Sequence, residues 1–226
     1  MGKNRFLGAL VFSFLVSVSG TLLAADAAGK FAVKGVARTT CEHFTKAYDE
    51  QKDRPNAFVL YTGWLEGYLS ALNERTEGTY DLTSFESTSL LTRLVYLNCQ
   101  RDVSIPFFNV VRRLAAALNS TRIATFSDMV PVEGKVELEG QEAREIKLMM
   151  YAETIRRVQN NLTSAGYFSD PVDGVYGEST RAAMREYQVA NSLTVTGLPD
   201  QFTLLKLLRQ PRAGKGAAGK SGGKGG

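Results

Sequence analysis

The chain has 226 residues, 44% of them hydrophobic, with 27 basic residues, 23 acidic residues and a single histidine. Setting aside Lys3, Arg5, Arg212, Lys215, Lys220 and Lys224 leaves 21 basic residues, so the body is near neutral and the positive balance lies at the two ends. This charge distribution excludes a broad nucleic-acid footprint, and one histidine, His43, excludes the usual histidine-based zinc centre.

Lys3 and Arg5 precede an uncharged apolar run, and small residues follow at Ala24, Ala25 and Ala27. That layout predicts a secretory signal peptide over residues 1–25, with the rest of the chain exported to the periplasm or cell envelope. An uncleaved membrane anchor is the competing reading, because Phe6 to Ala25 is just long enough to span a bilayer. Contact with a membrane is expected only in that case. Residues 26–38 read as an irregular lead-in.

Thr39 and Glu42 have the spacing of a capping box, which predicts a first helix running to about Gln51. Asn56 is placed to cap a second helix with a core stripe through Val59, Leu60, Trp64, Leu65, Tyr68, Leu69 and Leu72. Gly63 and Gly67 share one face of it and suggest close helix packing. A third helix is expected over 84–100. A fourth is expected after Ser104, with Pro106 in its first turn. Residues 39–120 thus read as a helical domain. Cys41 and Cys99 are the only cysteines; in an exported chain an isolated even pair reads as a disulfide. Two free buried thiols are the alternative.

Residues 121–141 read as a linker, in which Lys135 to Leu138 alternate like a short strand. A helical period then runs from about Glu142 through Ile146, Met149, Met150, Ile155, Val158 and Leu162 to Gly166. Beyond it the chain repeats. Sliding by twenty-three residues lays Val172 on Val195, Gly174 on Gly197, Gly177 on Asp200 and Thr180 on Thr203. Each unit is a loop that turns at glycine and then enters a helix. Residues 142–210 therefore form a three-helix module, and the Gly/Lys-rich residues 211–226 read as a disordered basic tail.

Ile155 to Leu162, Gly166-Tyr167, Val172 to Thr180, Tyr187-Gln188 and Leu193 to Gly197 together resemble the small peptidoglycan-binding module attached to many wall-lytic enzymes. The resemblance implies a C-terminal three-helix peptidoglycan-binding module, which together with the disulfide-stapled N-terminal helical domain makes a mainly α protein. Peptidoglycan is the implied partner. Tyr167, Asp173, Tyr176, Arg181 and Gln188 lie in or beside the loops and are the candidate binding residues, with Gly174, Gly177 and Gly197 as structural turns. The structural alternatives are a half-core Tyr167, an Asp173 that orders its own turn and a Gln188 that bonds helix to loop. More faintly, Cys41-Glu42-x-Phe44, Trp64-x-x-Gly67-Tyr68 and Cys99 are similar to the periplasmic HdeA-like helical family, some of whose members are chaperones. A cell-wall hydrolase is the third reading, with Glu66 and Glu74, which flank an aromatic helix, as candidate paired carboxylates. A non-catalytic binder without metal or cofactor is preferred, with residues 39–119 free to meet an envelope protein.

Overall fold

The computed structural model describes residues 26, 28–136 and 142–209. The expected signal peptide, the second half of the expected strand at 137–138 and the basic tail lie outside the described residues. Residues 1–33 and 34–226 are two separate compact units. In the first, the Asp26 carboxylate accepts from the backbone N–H groups of Ala28 and Lys30 and so closes a turn.

The second unit begins with a 3-10 turn, Gly35–Arg38, where an irregular lead-in was expected. Four helices follow: α1 (Cys41–Asp49), α2 (Pro55–Arg75), α3 (Thr88–Cys99) and α4 (Phe107–Leu118). The expected disulfide is present, and it joins the first residue of α1 to the last of α3 across 58 positions. Both sulfurs are buried beside an aromatic core in which Phe44 packs 5.2 Å from Tyr61 and 4.9 Å from Phe107, ring centre to ring centre.

Several local expectations are corrected. The capping box does not form. The first N–H groups of α1, on Cys41 and Glu42, instead donate to the carbonyls of Ile105 and Val103, so a neighbouring segment satisfies them. Thr39 is left to bond Val36 and Tyr61. Helix α2 starts at Pro55 rather than after Asn56, α3 is capped by Ser87, and Pro106 is itself the residue that caps α4. Val59 and Leu60 are exposed, not core. Gly63 and Gly67 meet nothing within 4 Å of where a Cβ would stand, so they do not serve packing within this unit.

The largest difference lies between the helices. Where the linker and the start of a long helix were expected, strands β1 (Met129–Val136) and β2 (Arg144–Tyr151) form an antiparallel hairpin, with Val132 opposite Leu148. Its inner face carries Val130, Val132, Ile146, Leu148 and Met150, which pack on the helices that follow. Helix α5 (Ala152–Ser164) begins only at Ala152; α6 (Glu178–Ala190) and α7 (Gln201–Arg209) complete the C-terminal half. Among the described residues no helix is long and apolar enough to cross a membrane.

Polar bonds join the two halves of this unit. The buried Thr154 hydroxyl donates to the Ser84 carbonyl, Gln201 bonds both Phe85 and Ser87, and Tyr151 donates to Asp81. Arg157 of α5 donates to the carbonyls of Thr121 and Arg122, while Glu153 holds its Nε at 3.1 Å. Replacing Arg157 by alanine strands two carbonyls that a cation had been satisfying. We expect a loss of about 2 kcal/mol, measured as a lower urea midpoint. An unchanged midpoint would show that the clasp contributes nothing.

Candidate functional site

The two loops of the C-terminal half share one frame, and a glutamine builds each. Gln159 of α5 is buried; its Oε1 accepts from Gly174 N–H at 2.9 Å. Its Nε2 donates to Asp173 Oδ1, the Val175 carbonyl and Thr180 Oγ1. Gln188 of α6 repeats this on the second loop. Its Oε1 accepts from the N–H groups of Thr196 and Gly197, at 3.0 and 2.8 Å. Its Nε2 lies within hydrogen-bond distance of Thr196 Oγ1, the Leu198 carbonyl, Asp200 Oδ2 and Thr203 Oγ1.

Gly174 and Gly197 both have positive φ, +81° and +65°, which L side chains rarely adopt. Each also lies against an arginine three residues before the glutamine: Gly174 against Arg156, Gly197 against Arg185. The duplication therefore includes an Arg-x-x-Gln step on the preceding helix. Sequence comparison at a fixed offset of twenty-three missed Arg156, Gln159 and Arg185.

The structure separates the sequence-derived residues into two groups. Gln188 has no exposed surface and Tyr176 is buried, its hydroxyl donating to the Gly197 carbonyl at 3.0 Å. Burial raises the Tyr176 phenol pKa well above its usual range. Gln188 ties the second loop to α6 and Tyr176 ties the first loop to the second, and a ligand reaches neither without opening the fold. Gly177 caps α6, as Asp200 does α7 by accepting from the Thr203 N–H. The others reach the surface. Asp173 is exposed, and hydrogen bonds from Gln159 and from the Val175 N–H hold its carboxyl below the ordinary carboxylate range. Any stability it adds is therefore present above that range and is lost as pH falls through the lowered pKa. Tyr167 is half-buried edge-on to Tyr187. Arg181 keeps 15% of its side chain exposed, 3.7 Å from Glu178.

Arg181 is covered by the hairpin. A Cβ on Gly134 of β1 would overlap the Arg181 guanidinium and come within 2.9 Å of Leu198 Cδ2. A side chain there would have to displace the Arg181 guanidinium and the tip of Leu198. Elsewhere, an open apolar groove on the first four helices is lined by Val36, Val59, Leu60, Gly63 and Trp64. The two carboxylates considered for hydrolysis are separately engaged: Glu66 accepts from Thr88, and Glu74 lies 3.7 Å from Arg75.

Residues 151–207 match the family model described as "Putative peptidoglycan binding domain". The match begins with the last residue of β2 and ends within α7, so it spans both glutamine frames. No curated protein and no solved structure matches the chain.

Proposed function

With a peptidoglycan-binding domain in its C-terminal half, we propose that this chain is an exported, non-catalytic envelope protein that holds the bacterial wall. The observation that carries this reading is the family match over the duplicated loops, each turned at a glycine and locked by a buried glutamine. A disulfide between the only two cysteines fits an oxidising compartment outside the cytoplasm. The first four helices then face a partner in the envelope, and the signal peptide supplies export.

Sedimentation with purified sacculi tests the proposal, using a chain that ends at Gln210 so that the basic tail is absent. Binding through hydrogen bonds and packed side chains persists from low salt to about 0.5 M, where the Debye length is only about 4 Å. Binding seen only at low salt would mean non-specific charge attraction. Failure to sediment at either salt would overturn the wall-binding reading outright.

A further inference from the structure

The glutamine frames make the two loops directly comparable, and they differ in what covers them. Val175 and Leu198 are equivalent positions, since each carbonyl accepts from the Nε2 of its own glutamine. Yet Val175 is 56% exposed and Leu198 only 5%. The cause is the hairpin, whose Gly134 lies against Leu198 and Arg181. At this position one copy of the duplicated surface is covered by the chain itself and the other is open, whereas Val172 and Val195, and Arg156 and Arg185, are exposed to similar degrees.

Resting on the wall-binding reading above, we propose that the open face of the first loop, formed by Arg156, Asp173 and Val175, takes the peptide stem of peptidoglycan. Arg156 is 46% exposed, and its ion pair with Glu153 is long, 3.9 Å, and solvated. Such a pair is weak, so the guanidinium remains available to a stem carboxylate, for which its planar fork is suited. Arg156 packs along Gly174, whose φ and tight contact hold the loop against it. Both hydrogen bonds to Asp173 land on Oδ1, which leaves Oδ2 for an amine or amide N–H of the stem. Val172 and Val175, both exposed, offer aliphatic surface to short methyl-bearing residues. The pairing of one cation with one anion suits a peptide carrying both charges better than it suits a polyanion. A sugar face would call for an aromatic platform instead. The exposed aromatic ring nearest in sequence to either loop is Phe202, which follows the second one.

The test uses the full chain and four variants: Arg156→Gln and Val175→Ser on the first loop, Val195→Ser and Phe202→Ser on the second. Each is titrated onto intact sacculi and onto glycan strands stripped of peptide by an amidase. Arg156→Gln is expected to weaken binding to sacculi about tenfold, as befits a lost charge-assisted bond, and Val175→Ser several-fold. The second-loop variants should stay within about twofold of the parent, and stripped glycan should bind poorly to all. Arg156 touches Gly174, so a melting curve accompanies it; should that variant be destabilised, the exposed Val175 decides. Loss of binding confined to Val195→Ser and Phe202→Ser, equal binding of stripped glycan, or four variants that all bind like the parent would each overturn the assignment. In those cases wall binding itself survives, whereas a parent chain that fails to bind sacculi removes both readings together.

Discussion

Gln188→Leu is expected to destabilise the C-terminal half by roughly 3 kcal/mol, a sizeable share of the stability of an ordinary domain. Leucine nearly conserves the volume, so no large cavity contributes. The Gly197 N–H loses its partner outright, while the Thr196 N–H keeps the Thr194 carbonyl and the Leu198 carbonyl keeps the Asp200 N–H, each losing one bond. Buried groups left without a partner cost about 1–3 kcal/mol each. Gln188→Glu should be at least as damaging at neutral pH, because it removes the Nε2 donors and sets a buried carboxylate beside Asp200. Burial raises the pKa of such a carboxyl, so part of the damage should reverse as pH falls. Urea unfolding followed by circular dichroism reads both variants; a Gln188→Leu midpoint equal to the parent's would show that the frame is dispensable.

Removing the disulfide should cost about 4 kcal/mol in the chain-entropy account, given a sequence separation of 58. Cys41 and Cys99 are both wholly buried, so reductant reaches them only through opening of the helical half. Alkylation of the urea-unfolded protein without reductant should label neither cysteine, and the Cys41→Ala, Cys99→Ala double variant should melt well below the parent. Quantitative labelling of both thiols in the unfolded, unreduced protein would refute the pairing.

The duplicated loops were legible because the stretch from turn to helix keeps its length: Gly174 to Thr180 matches Gly197 to Thr203. The glutamines behind them were not read as a pair. Gln159 stands fifteen residues before its glycine and Gln188 only nine before its own, so no single offset aligns both. Gln188 itself was visible, but its burial was not, because an amide reads alike whether it faces a ligand or two loop N–H groups. The hairpin was hidden by coincidence of period. Ile146, Leu148 and Met150 alternate inward along β2, yet Ile146, Met149 and Met150 also keep helical step with Ile155. In α2 the apolar stripe failed at Val59 and Leu60 because the chain before it lies along only part of that face. The cysteine pairing was legible because composition left each thiol a single possible mate, two free thiols being the alternative.

Arg157, Thr154 and Gln201 bond the C-terminal half directly to the first four helices. A protein hung from the wall on a flexible leash would let its business end sweep a wide volume at low effective concentration. Here the attachment behaves as a bracket. Once the C-terminal half is seated on an immobile polymer, α2 and its groove stand at a fixed height and heading above it. On the proposed reading, a partner in the same envelope would meet that surface in one orientation, and lengthening the segment between residues 121 and 128 should degrade that alignment before it degrades hold on the wall.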